Sequence, residues 1–151
     1  MKKIVLIVVA VLVGGILLIQ LAPYGRDHTN PPVVQEPAWD SPQTRELAMR
    51  ACGDCHSNTT VWPWYSNIAP VSWLVYRHTV EGRDKLNFSE WNRPQRDADE
   101  AAEMVSEGEM PLVPYVMMHK SAQLTPAEQE ALIQGLQATF GGETGQSEGD
   151  D

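Results

Sequence analysis

Two cysteines are all that this chain of 151 residues contains, and they stand three positions apart, as Cys52 and Cys55. With no second cysteine pair, a four-thiolate zinc site is excluded, and four scattered histidines fit a mixed site poorly. Stretches of alternating polar and apolar residues are also missing, which removes the βαβ setting of a thioredoxin-like dithiol. Basic residues are scarce: 11 Lys and Arg stand against 20 Asp and Glu, a net charge of −9. That balance argues against nucleic acid or an anionic lipid surface as a partner. There is no Ser/His/Asp order, no phosphate-binding glycine loop and no paired-carboxylate motif.

What the two cysteines do form is Cys52-Gly53-Asp54-Cys55-His56, a C-x-x-C-H pattern. This is the spacing of a c-type haem attachment site. Two thiols on one turn can each add to a haem vinyl group, giving two thioether links. The adjacent His56 can then donate an imidazole nitrogen to the iron as proximal ligand. A plain disulfide and a redox-active dithiol compete with this reading, but a disulfide leaves His56 unexplained. The cofactor expected is therefore one covalently attached haem c.

One long apolar run stands at the amino end. Lys2 and Lys3 precede Ile4 to Ile19, sixteen residues without a polar side chain. A secretory h-region and a short transmembrane helix both fit this length. The exit, Leu18-Ile19-Gln20-Leu21-Ala22-Pro23, lacks the small residues of a cleavage site and so favours an uncleaved anchor. Lys2 and Lys3 keep the amino end cytoplasmic, which exports everything after Pro23 to the side where bacteria attach haem c. Setting those two lysines aside leaves 9 basic against 20 acidic residues in the exported part, or −11. This permits an encounter with a basic exported redox protein as partner. The boundaries expected are an anchor at 1–22, an extended proline-rich tether at 23–40, a haem domain at 41–141 and an acidic, solvated tail at 142–151.

The expected domain is all-α, a cytochrome c-like helical fold around the haem. Ser41 and Pro42 open a helix whose Leu47, Ala48 and Ala51 lead into Cys52. Pro70 starts a second helix, Val71 to Glu81, with Gly82 as its stop. A third is expected from about Pro94 to Glu107, with Gly108 ending it and a loop from Gly108 to Leu124 following. Thr125-Pro126-Ala127-Glu128 is a capping box for the last helix, with Leu132, Ile133, Leu136 and Phe140 on its buried face and Gly141-Gly142 at its end.

Several further motifs carry a resemblance. They are Ala51-Cys52-Gly53-Asp54-Cys55-His56-Ser57-Asn58, Trp62-Pro63-Trp64-Tyr65-Ser66 and Ile68-Ala69-Pro70-Val71-Ser72-Trp73, followed by Glu81-Gly82-Arg83, Leu86-Asn87-Phe88-Ser89-Glu90-Trp91 and Gly108-Glu109-Met110-Pro111. With these the chain resembles the haem-binding domain family of small, membrane-anchored, exported bacterial proteins, over roughly Pro23 to Phe140. The resemblance implies covalent haem c and a periplasmic setting, and it leaves the physiological reaction open.

His56 leaves one axial iron position to fill. Met110 is the leading candidate: it precedes Pro111, which biases it to extended backbone, and it follows the haem motif by 54 residues. His119, in the same loop, is the alternative. Met104 and Met117 read better as core filling, and Met118, His78 and His28 are weaker candidates. Arg77 and Arg83 are candidate propionate partners, with solvated helix-end charge as the equal alternative. The leading function is a membrane-tethered electron carrier rather than an enzyme. A haem-based sensor needs an open distal side, and a peroxidase needs a distal acid/base residue such as His119 or Glu109. The motif generates a direct test. Protein made with a cytochrome c maturation system should retain haem through denaturing electrophoresis, and replacing both Cys52 and Cys55 with alanine should abolish the haem stain.

Overall fold

The computed structural model describes residues 1–141. The acidic tail expected from Glu143 to Asp151 lies outside them, as does Gly142. Among the described residues the fold is all-α, built of α1 (Lys2–Ile19), α2 (Pro42–Ala51), α3 (Gly53–His56), α4 (Val71–Lys85), α5 (Ala101–Ser106), α6 (Val113–Met118) and α7 (Pro126–Phe140). Short 3-10 turns stand at Trp64–Asn67 and Lys120–Ala122. The described residues hold one isolated parallel bridge, Gln35 to Glu90, and no strand.

Local chemistry explains the ends of α2 and α7. Ser41 is extended and its hydroxyl accepts from the Thr44 amide, with Pro42 behind it as first helical residue. Thr125 and Glu128 form the expected reciprocal capping box. Each cap pairs amides that the first turn otherwise leaves without partners, and such a cap contributes about 1 kcal/mol. The two helices cross closely because Gly135 has no side chain. A Cβ there would lie 2.0 Å from Thr44 Oγ1.

The core collects Leu47 and Ala48 from α2, Ala102 and Val105 from α5, and Leu132, Leu136 and Phe140 from α7. Leu86, Phe88 and Ala98 from the segment between α4 and α5 complete it. Trp39 packs edge-on to Phe88 with ring centroids 5.1 Å apart, and Trp91 stacks on Phe140 at 4.8 Å. The proline-rich segment before α2 therefore lies along the domain. Val34 and Gln35 both donate to the Ser89 carbonyl, and Trp91 N donates to Gln35 O.

Three boundaries differ from the expectation. The helix after Pro70 does not stop at Gly82 but continues to Lys85, with Gly82 buried inside it. The third helix is short, starting only at Ala101. Residues 94–100 turn instead because Arg96 N and Asp97 N donate to the Lys85 carbonyl, while the Gln95 amide binds Glu90 O, Arg93 O and Asn87 N. Those bonds occupy the backbone away from a helical ladder. The loop expected from Gly108 to Leu124 contains α6, with Pro114 in its first turn, where a missing N–H costs nothing.

The packing of Trp39 yields a prediction. Trp39→Ala should lower stability by about 2–4 kcal/mol, read as a clear fall in Tm of the haem-loaded protein. An unchanged Tm would mean that residues 33–40 do not dock on the domain.

Candidate functional site

The C-x-x-C-H motif occupies the turn between α2 and α4. α2 ends at Ala51, Cys52 closes it by donating its amide to Ala48 O, and α3 carries Cys55 and His56. Both cysteines are free thiols and each keeps part of its surface accessible. Burial pushes the Cys52 thiol up to about 12, and Cys55 up to about 11 with the Asp54 charge adding to it. At neutral pH both therefore remain protonated.

His56 is oriented from two sides. Its Nδ1 lies 3.1 Å from Gly82 O and 3.0 Å from Leu86 O, at the end of α4. A carbonyl can only accept, so Nδ1 carries the proton and Nε2 presents a free lone pair. Burial also lowers the His56 pKa, against the opposing pull of the Leu86 and Gly82 carbonyls. A neutral imidazole with one nitrogen fixed to backbone carbonyl is the form a metal ligand takes.

The position of α4 depends on Gly82. A Cβ on residue 82 would lie 2.6 Å from the Cys55 carbonyl oxygen and 3.2 Å from Cys55 Cβ. Only hydrogen in that place lets the helix come near enough for its carbonyls to reach His56. The sequence signal for this contact is a glycine inside an otherwise helical pattern, which was read above as a helix stop.

A buried polar network fixes the chain beneath the histidine. Phe88 N donates to His56 O at 2.8 Å. Asn58 N donates to Ser89 Oγ, Asn87 Nδ2 to Asn58 Oδ1, and Ser89 N to Asn87 Oδ1, each at 2.9 Å. Asn58 Nδ2 also donates to Pro32 O and Glu90 Oε1. The sequence showed these residues only as a motif and a connector. Their signal was the cluster of small polar residues in an otherwise apolar context, and it carried no pairing.

The remaining candidates are dispersed. Arg77 pairs with Glu81 at 2.7 Å on the solvent side of α4. Arg83 instead crosses the haem motif: Nε donates to Ser57 O, and Nη2 to Asn30 Oδ1 and Thr60 Oγ1, all at 2.8 Å. Met110 packs against the core and lines a cavity with Pro111, Val116 and Leu124. His119 and Tyr115 lie near the motif from the other side. Tyr115 donates its hydroxyl to Asp54 Oδ2 at 2.7 Å, and burial with this bond raises the tyrosine pKa. His119 Nδ1 donates to Tyr115 O at 3.0 Å, and Tyr65 donates to Nε2 at 3.1 Å. His28 stacks on Trp62 with its Nε2 on Ser66 O.

The profile of a haem-binding domain matches residues 14–138 of this sequence. The chain belongs to the haem-binding domain family. No curated protein and no solved structure matches it. The site suits the group that the family binds: two free thiols at vinyl-linking spacing sit beside an imidazole whose outward nitrogen is unprotonated.

The closeness of Gly82 to Cys55 generates the second structural prediction. Gly82→Ala should cost about 1–3 kcal/mol, since the obstructing atom is backbone and cannot swing away. It should also lower the yield of haem-loaded protein, whereas Gly14→Ala, with nothing within 4 Å of the added carbon, should leave both unchanged. A Gly82→Ala protein with wild-type Tm and haem content would remove the role given to the contact.

Proposed function

We propose that the chain is a membrane-anchored mono-haem c-type cytochrome that carries single electrons between exported redox proteins and is not itself an enzyme. The observation that carries this reading is His56, held with Nδ1 on two carbonyls and Nε2 free, directly after two unpaired cysteines. In this reading Cys52 and Cys55 hold the haem through thioethers and His56 Nε2 is the proximal ligand. The bound iron supplies reversible one-electron exchange. The carbonyls of Gly82 and Leu86 make the imidazole a better donor and prevent ring rotation.

For the distal position Met110 is the better candidate of the two. Among the described residues no hydrogen bond engages its thioether, whereas His119 has both ring nitrogens bonded and would have to release Tyr65 to turn towards a metal. A thioether ligand stabilises ferrous iron and raises the potential relative to two imidazoles.

The setting follows from α1. Its 18 residues have a mean hydropathy of 2.6 and none of them is buried. At 1.5 Å per residue such a helix is about 27 Å long, close to the hydrocarbon thickness of a bilayer. With Lys2 and Lys3 on the cytoplasmic side, α1 is a single-pass anchor in a bacterial inner membrane and the haem domain faces the periplasm. The acidic exterior then favours basic redox partners.

Optical spectra of both oxidation states test the ligand set. Wild type should be low-spin, with the weak long-wavelength charge-transfer band of a ferric sulfur–iron bond. Met110→Ala should lose that band, lower the potential and bind carbon monoxide readily when reduced, while His119→Ala keeps the band. If the wild type lacks the band and low-spin iron is lost only in His119→Ala, the ligand is His119 and the carrier is a lower-potential bis-histidine one.

A further inference from the structure

Beyond the anchor itself, we propose that the haem domain rests on the membrane surface through an uncharged apolar patch of Trp64, Ile68, Val71 and Leu74. The inference depends on the reading of α1 as a membrane anchor. Its starting point is a contact at the end of that helix. Gln20, directly after α1, donates from Nε2 to Ala69 O at 2.9 Å and accepts from Ala69 N at 2.9 Å. Both polar groups of one backbone residue are thereby paired with a side-chain amide on the anchor. Residue 69 is thus held at the level where α1 leaves the hydrocarbon, which is where the polar groups of Gln20 belong.

The residues around Ala69 suit that level. Ile68 is 45% exposed, Val71 43%, Leu74 51% and Trp64 75%. Tryptophan is enriched at the membrane–water boundary, where its ring is apolar and its N–H can stay wet. Charge decides the direction. From Ser57 to Tyr76 there is no Asp, Glu, Lys, Arg or His, although the whole chain carries a net −9. An acidic domain is repelled by anionic headgroups over most of its surface. This uncharged stretch of the haem domain is the part that the anchor brings to the bilayer. Four exposed apolar side chains at that point lose unfavourable contact with water when the interface covers them, at about 25 cal/mol per Å². The domain is thereby held in one orientation on the membrane instead of swinging from residue 20.

Thiol modification of single cysteines in the full-length holoprotein tests this. Ile68→Cys, Val71→Cys and Leu74→Cys are compared with Ser106→Cys, which is exposed on α5, in phosphatidylethanolamine–phosphatidylglycerol vesicles. Unsubstituted protein supplies the background, and an unchanged haem spectrum shows that each variant is folded. Because a thiol reacts as its hydrated thiolate, a charged thiosulfonate should modify positions 68, 71 and 74 at least about tenfold more slowly than position 106. Flotation of the vesicles is measured on the same samples. Equal rates in protein that floats would overturn the patch and leave the anchor standing, including the case where the patch awaits a protein partner. Protein that does not float with the vesicles would overturn both readings.

Discussion

The approach of α4 to the Cys55–His56 peptide is the constraint on which the rest of the structure depends. It requires a residue without a Cβ at position 82, where any side chain would meet the Cys55 carbonyl at 2.6 Å. Once the helix is that near, its last turn offers the carbonyls of Gly82 and Leu86 to the same imidazole nitrogen. The following segment is then held in place, with Phe88 N on His56 O and, below it, the Asn87 side chain donating to Asn58 Oδ1 and accepting from Ser89 N. Ser89 in turn offers its carbonyl to Val34 and Gln35, which brings Trp39 onto the core. A single close packing contact thus propagates from the motif to the segment before α2.

Electrostatics at the site follow from the same packing. Water is displaced from His56 and from both thiols, so the uncharged form of each is favoured. The imidazole is left neutral, with its proton directed into the protein and its lone pair outward. Opposite the motif, Tyr115 and Tyr65 bind Asp54 and His119 and hold α6 over it. Outside the site, the chain is acidic overall, and the stretch from Ser57 to Tyr76 carries no charged side chain.

Parts of this arrangement were legible in the chain and parts were not. The C-x-x-C-H motif, the apolar run that becomes α1, and the starts of α2 and α7 each depend on residues within a few positions of one another. Ser41 with Pro42, and Thr125 with Pro126 and Glu128, bring their own capping partners, so tertiary context had little to override. Gly82 was ambiguous because the same missing Cβ permits a helix end and a close approach. Nothing within several positions of it distinguishes the two, since the deciding atom belongs to Cys55.

The same physical reason separates what the sequence by itself determined from what the tertiary structure decided. Composition and local spacing determined an all-α chain with a C-x-x-C-H motif and a membrane-length apolar helix. Only packing decided that Trp39 joins the core, that residues 94–100 turn rather than coil into helix, that Arg83 binds the motif's backbone, and that Gln20 meets Ala69. Each of these depends on a partner far along the chain, and a hydrogen bond or aromatic contact over such a separation exists only once the intervening segments have folded.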